Sequence, residues 1–131
     1  MTHVQHRALV VDARARAAYY AQINAQILAV AARVPVGRIT TFEAIGRLLD
    51  VPRHHVAYLL ARSTDPERCA VPWYRVVGRG GAVPAASDQR RREQRDLLRR
   101  EGVRIGANGM LSHFAQLFVP PILGLDEHGL S

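Results

Sequence analysis

The sequence predicts a mainly α fold of winged helix-turn-helix type, with a small β hairpin as the wing. Three observations carry that expectation. Two short amphipathic segments, 40–50 and 53–62, are separated only by a Val51-Pro52 break. Longer helical patterns flank them on both sides. Two short apolar pairs, Val76-Val77 and Ala82-Val83, bracket the turn-forming Gly78-Arg79-Gly80-Gly81. At 131 residues the chain is expected to form a single domain, with its core over about 12–111 and a tail over 112–131.

The elements follow in order. Residues Met1 to about Val11 show little pattern and are expected to be loosely ordered. Asp12 is the expected N-cap of an alanine-rich helix running to Arg33, with Tyr20, Ile23, Ile27, Ala31 and Val34 on its inward side. Pro35 and Gly37 end it. Thr40 and Glu43, three residues apart, form a capping-box signature for a helix that stops near Asp50. The next helix begins Arg53-His54-His55 and turns Val56, Leu59 and Leu60 inward. Ser63-Thr64-Asp65-Pro66 reads as a turn. Ser87 or Asp88 caps an arginine-dense helix over Gln89–Glu101, which stops at Gly102. Most of its arginines are expected on a solvated face laced with ion pairs. Val103 to Leu111, with Asn108-Gly109 at its tip, suggests a last tight hairpin.

Composition narrows the function. Eighteen basic residues, all arginine, face eleven acidic ones, for a formal net charge of +7. Such a surplus favours a polyanionic partner, with nucleic acid ahead of an anionic membrane surface. A single cysteine, Cys69, excludes an internal disulfide framework and a cysteine-rich zinc site. The six histidines make no ligand pattern: His54 and His55 diverge on a helix, and the others lie in weakly patterned stretches. No phosphate loop ending in Lys-Ser/Thr and no serine nucleophile elbow occurs. Neither metal nor cofactor is expected. No run of eighteen apolar residues is present, and Arg14 and Arg16 interrupt any signal-peptide core. A cytoplasmic monomer, nucleoid-associated if bacterial, fits these features.

One stretch stands apart: Val71-Pro72-Trp73-Tyr74-Arg75-Val76-Val77, which holds the only tryptophan. Pro72 fixes a turn, and the two valines favour a strand. A rigid turn presenting Trp73, Tyr74 and Arg75 suits a flat polar ligand such as a nucleobase; the plainer alternative makes Trp73 a core anchor.

Taken with its neighbours, this stretch resembles the O6-alkylguanine-DNA alkyltransferase family over about Gln22 to Ile105. Val34-Pro35-Val36-Gly37-Arg38-Ile39-Thr40-Thr41-Phe42-Glu43-Ala44-Ile45 resembles the start of the family's DNA-binding half, which normally ends Thr-Tyr-Gly-x-Ile-Ala. Val71 to Val77 resembles the signature Pro-Cys-His-Arg-Val, Gly81 through Ser87 the loop closing over the lesion, and Glu101-Gly102-Val103 the end of the last helix. Trp73 then stands where the nucleophilic cysteine would be, and Tyr74 where the activating histidine would be. An indole offers no thiolate, so the resemblance implies no alkyl transfer, as in the alkyltransferase-like proteins.

What the resemblance implies is a non-enzymatic protein that binds double-stranded DNA carrying O6-alkylguanine. It would flip the damaged base, bend the duplex and pass the lesion to nucleotide excision repair proteins. The second helix would lie in the minor groove, with Arg53 or His54 filling the vacated stack. Arg38, Arg47, Arg53, Arg62 and Arg79 would meet phosphates. Phe42 replaces a tyrosine that helps rotate the target phosphate, and Ala86 stands where related proteins often carry a pocket arginine. The lesion-binding set implied is therefore Trp73, Tyr74, Arg75, Phe42, Arg53, His54, Ala86 and Ser87. The alternative from another class is a winged-helix regulator that binds DNA without lesion specificity.

Overall fold

Val76 and Val77 are both fully buried, and they sit at the junction of two hydrophobic clusters. Successive strand residues point to opposite faces. Val76 joins a cluster with Ile23, Ile27, Val30, Ala31, Ile45, Leu49, Val56 and Leu60, while Val77 joins Ile39, Leu98, Val103 and Leu111. The computed structural model describes the backbone of residues 2–62, 71–83 and 88–123, and side chains within those ranges from Asp12 onward.

The order is α1 (Thr2–Ala32), β1 (Thr40–Thr41), α2 (Phe42–Leu49), α3 (Arg53–Ala61), β2 (Val76–Val77), α4 (Asp88–Arg100) and α5 (Phe114–Leu117), with short 3-10 turns at Trp73–Arg75 and Arg79–Gly81. The fold is mainly helical and winged-helix-like, and α2 and α3 pack on each other across the turn at Val51-Pro52.

Several local expectations change. α1 runs unbroken through Asp12, which is not its cap. No Gly or Pro interrupts residues 2–34, and good helix formers propagate a helix once it is nucleated. Its inward side is Ile23, Ile27, Val30 and Ala31, whereas Tyr20 is 44% exposed and stacks on His55 instead.

The cap of α2 is Thr41 rather than Thr40. The Thr41 hydroxyl accepts from the Ala44 amide at 3.0 Å. Thr40 is committed to the strand pair, with its hydroxyl buried and without a hydrogen-bond partner. Glu43 is then one position too early to close a capping box, and its carboxylate accepts from Arg47 and Arg79 instead.

The expected wing hairpin does not form. β2 pairs in parallel with β1, in the register Thr40 with Val76 and Thr41 with Val77. Ala82 bridges Met110 instead. A strand buried on both faces behaves as an interior strand, which a solvent-exposed hairpin cannot supply. Gly80 and Gly81, with φ of +70° and +93°, carry the chain round the intervening turn.

α4 stops in a Schellman motif, with Gly102 donating to the Arg99 carbonyl and Val103 to Leu98. Its inward residues include Arg90 as well as Gln94 and Leu98, so the arginine run is not uniformly solvated. The last hairpin is present, through Ile105 against Leu111 and a Gly106 to Met110 hydrogen bond. Beyond it, α5 and Phe118 pack on the second cluster, and Ile39 and residues 117–119 exchange two backbone hydrogen bonds. The expected tail is therefore integrated as far as Leu123, which packs on the first cluster. The turn at 63–66, Cys69, and the positions of Ala86 and Ser87 lie outside the described residues.

Candidate nucleic-acid interface

Pro72 is buried, and the chain turns tightly after it: Trp73 donates to the Val71 carbonyl at 2.8 Å and Arg75 to the Pro72 carbonyl at 3.0 Å. Trp73 is half-buried against the first cluster. The Arg90 guanidinium lies 3.5 Å from the indole centroid and donates to the Leu60 carbonyl. Burial pulls the Arg90 pKa down, and Glu93 partly opposes that. A cation on the indole face and a carbonyl on α3 thus fix the turn from behind.

Tyr74 and Arg75 turn into the protein, contrary to the expectation that both face a ligand. The Tyr74 hydroxyl donates to Glu101 at 2.7 Å, and Arg75 donates to both Glu101 oxygens and to the Val34 carbonyl. The Gly37 amide also reaches Glu101, at 3.0 Å. Burial, reinforced by Glu101, pushes the Tyr74 phenol up. Burial also works to raise the Glu101 carboxyl, but Arg75, Gly37 and Tyr74 together hold it below its ordinary value. This network ties the Trp73 turn to the end of α4 and to the loop after α1. Gln94 adds to it by donating to the Tyr74 and Val76 carbonyls.

Four other expected residues do come together. Phe42 from α2, Arg53 and His54 from the start of α3, and Arg79 from the loop after β2 line one groove of about 480 Å³. Ala57, Gly78, Ala82 and Glu43 complete it. Trp73 is not among its walls. His55 faces away, its Nε2 2.9 Å from the Asn24 side-chain oxygen. Of the expected phosphate contacts, Arg38 donates to the Gln116 carbonyl and Arg62 to the Tyr58 hydroxyl. Arg47, Arg53 and Arg79 all converge on Glu43.

Sequence reasoning assigns no site role to four residues that the structure makes central: Glu43, Arg90, Gln94 and Glu101. The 90-94-98 spacing on α4 carries a signal for two of them. No group of three His, Cys, Asp or Glu side chains able to hold a metal occurs among the described residues, and none of their helices is long and apolar enough to cross a membrane.

Two short helices packed across a tight turn, with basic side chains at the start of the second, define a helix-turn-helix module on a winged-helix-like frame. Residues 22–103 match the family described as the DNA-binding domain of 6-O-methylguanine DNA methyltransferase. The chain belongs to that family, and within it resembles the alkyltransferase-like proteins.

Relatives include a DNA base-flipping protein of Escherichia coli (strain K12), 32% identical over 84 residues. That match takes in 63% of this chain and 63% of the relative's length. A DNA base-flipping protein of Vibrio parahaemolyticus is 28% identical over 93 residues, covering 70% of this chain and 90% of the relative. The fold is shared with S. pombe Atl1, solved in complex with damaged DNA containing O6-carboxymethylguanine. That similarity has a TM-score of 0.64 at 21% identity, over 76% of this chain and 96% of that one. A second S. pombe structure, in complex with DNA, gives 0.62 at 22% identity, with the same coverage.

Proposed function

We propose that this protein binds double-stranded DNA without catalysis, recognises O6-alkylguanine, flips it from the stack and presents it to nucleotide excision repair. The observation that carries the reading is the groove at the start of α3. It gathers Phe42, Arg53, His54 and Arg79 at one surface. The reading takes Trp73, in the stretch Val71 to Val77 that resembles the family signature, to stand in place of the alkyl-accepting cysteine.

The proposed steps use these residues in turn. Exposed arginines neutralise phosphates, so binding weakens steeply with salt. α3 lies in the minor groove, and Arg53 or His54 occupies the gap left by the extruded base. Unstacking costs a few kcal/mol, and least for a base that pairs poorly, as an O6-alkylated guanine does. The Trp73 indole forms a wall of the pocket that receives the base. No alkyl group moves, because an indole carbon is no substitute for a thiolate. In this reading the protein acts as a cytoplasmic monomer, nucleoid-associated if bacterial, and needs no cofactor.

The second reading is a DNA-binding regulator without lesion specificity. It is favoured by the inward turn of Tyr74 and Arg75, which leaves fewer polar groups for a lesion. Affinity for a duplex carrying one O6-methylguanine, set against the same duplex unmodified, separates the two. A preference of about tenfold or more is expected, and equal affinity sinks lesion recognition. Incubation with DNA radiolabelled on the methyl group tests the absence of transfer: label on the protein overturns it.

A further inference from the structure

Glu43 lies at the centre of a charge cluster drawn from three elements. Arg79 donates to its carboxylate from Nε at 3.1 Å and from Nη2 at 2.8 Å. Arg47, one turn along α2, donates to the other oxygen, and Arg53 at the start of α3 approaches to 3.8 Å. The side chains differ sharply in exposure. Arg47, Arg53 and Arg79 are 78%, 65% and 76% exposed, whereas Glu43 is only 23% exposed. The carboxylate thus sits beneath an outward-facing set of guanidiniums. The bond from Arg79 and the charges of all three arginines hold the Glu43 pKa below its ordinary value, so it remains ionised at neutral pH.

A carboxylate and a phosphodiester present the same kind of acceptor to a guanidinium fork: paired anionic oxygens at matching spacing. We infer that Glu43 is a built-in competitor for DNA phosphate, holding Arg47, Arg53 and Arg79 closed until a backbone phosphate takes its place on them. This rests on the DNA-binding reading above and adds a cost to it. The same groove that would seat the duplex is neutralised by one charge in the free protein, and the bonds to Glu43 must loosen before the arginines can be used. The cluster therefore brings a charge of +2 to the interface rather than +3, by the count of three arginines against one glutamate. A phosphate contact with Arg79 is likewise partly offset by the bond that Arg79 gives up.

The experiment measures binding of the full chain to an undamaged duplex across a salt series. Glu43→Gln keeps the side-chain volume and removes the charge. It is expected to bind about tenfold more tightly at low salt, with a log K against log salt slope steeper by about one. Arg79→Gln is then introduced both alone and together with Glu43→Gln. It is expected to weaken binding several-fold more in the Glu43→Gln background than in the unsubstituted protein. A carboxylate that merely organises the arginines gives the opposite result: weaker binding by Glu43→Gln with an unchanged slope, which overturns the inference. Unchanged affinity overturns it too. If the unsubstituted protein binds neither this duplex nor its O6-methylguanine counterpart at low salt, the DNA-binding reading itself fails.

Discussion

Arg75 donates to both carboxylate oxygens of Glu101, from Nη2 at 2.6 Å and from Nε at 2.9 and 3.1 Å. Their side chains are only 12% and 11% exposed. The pair joins the turn that carries Trp73 to the residue that follows α4, and Arg75 also satisfies the Val34 carbonyl. Removing one partner strands the other charge in a half-dry site, which costs about 3–5 kcal/mol when burial is complete. With a tenth of each side chain still in water, Arg75→Ala is expected to lose about 3 kcal/mol of unfolding free energy, measured by urea denaturation. A loss below about 1 kcal/mol would show that the turn is held by its other contacts.

The same carboxylate predicts a pH dependence. Hydrogen bonds from Arg75, Gly37 and Tyr74 outweigh the effect of burial, so Glu101 titrates lower in the folded chain than its ordinary value of 4.5. The unfolded chain therefore takes up a proton first as the solution is acidified. Its stabilising contribution is fully present above about pH 4.5 and fades as the pH falls through the lower folded value. Glu101→Gln should be the less stable protein at about pH 7, and the gap in urea midpoints should narrow towards about pH 3. A gap of constant size across that range would mean that the charge of Glu101 contributes nothing.

Gly46 allows the tight turn between α2 and α3. A Cβ built there would lie 2.6 Å from the Val51 carbonyl oxygen and 3.4 Å from the Arg53 amide, both backbone atoms. The Gly46 carbonyl also accepts from Val51 at 2.9 Å, closing the turn. Gly46→Ala is expected to cost about 1–3 kcal/mol despite alanine's better helix propensity, because backbone must move to admit the methyl group. A gain in thermal midpoint would show that the turn has slack.

Periodicity locates α2, α3 and α4 because each buries one side at three- and four-residue spacing, and Gly102 announces the Schellman stop. The strand pair is half legible. Val76-Val77 reads as a strand, but its partner Thr40-Thr41 lies thirty-six positions earlier, and no local pattern encodes a parallel pairing. Gly78 to Gly81 resembles a hairpin tip because short-range turn chemistry is all that adjacent residues reveal. The site divides in the same way. Of the groove residues, Arg53 and His54 stand out as the first residues of the second helix, whereas Phe42 enters only through the family resemblance. Tyr74 and Arg75 read as outward-facing, since their partner Glu101 is remote in sequence and only folding brings it near. Arg90 is hidden in a run of like residues, although its four-residue spacing from Gln94 and Leu98 marks the inward face.

Trp73 is the only tryptophan, so its fluorescence reports this turn alone. The Arg90 guanidinium covers one face of the indole at 3.5 Å, and the side chain is otherwise half-buried on the first cluster. Two readings of Trp73 make different predictions. As a pure core anchor, it should cost about 3 kcal/mol when replaced by alanine while leaving any preference for damaged duplex intact. As a pocket wall, it should meet the flipped base on the face that Arg90 does not cover. In that case a duplex with one O6-methylguanine should protect the indole from acrylamide quenching, and the undamaged duplex should protect it less. Arg90→Ala opens the covered face and should raise quenching in the free protein, giving the scale against which protection is judged. The pocket reading requires that Trp73→Ala erase most of the damaged-over-undamaged preference. If the preference survives and neither duplex alters quenching, Trp73 anchors the fold and the lesion is recognised elsewhere.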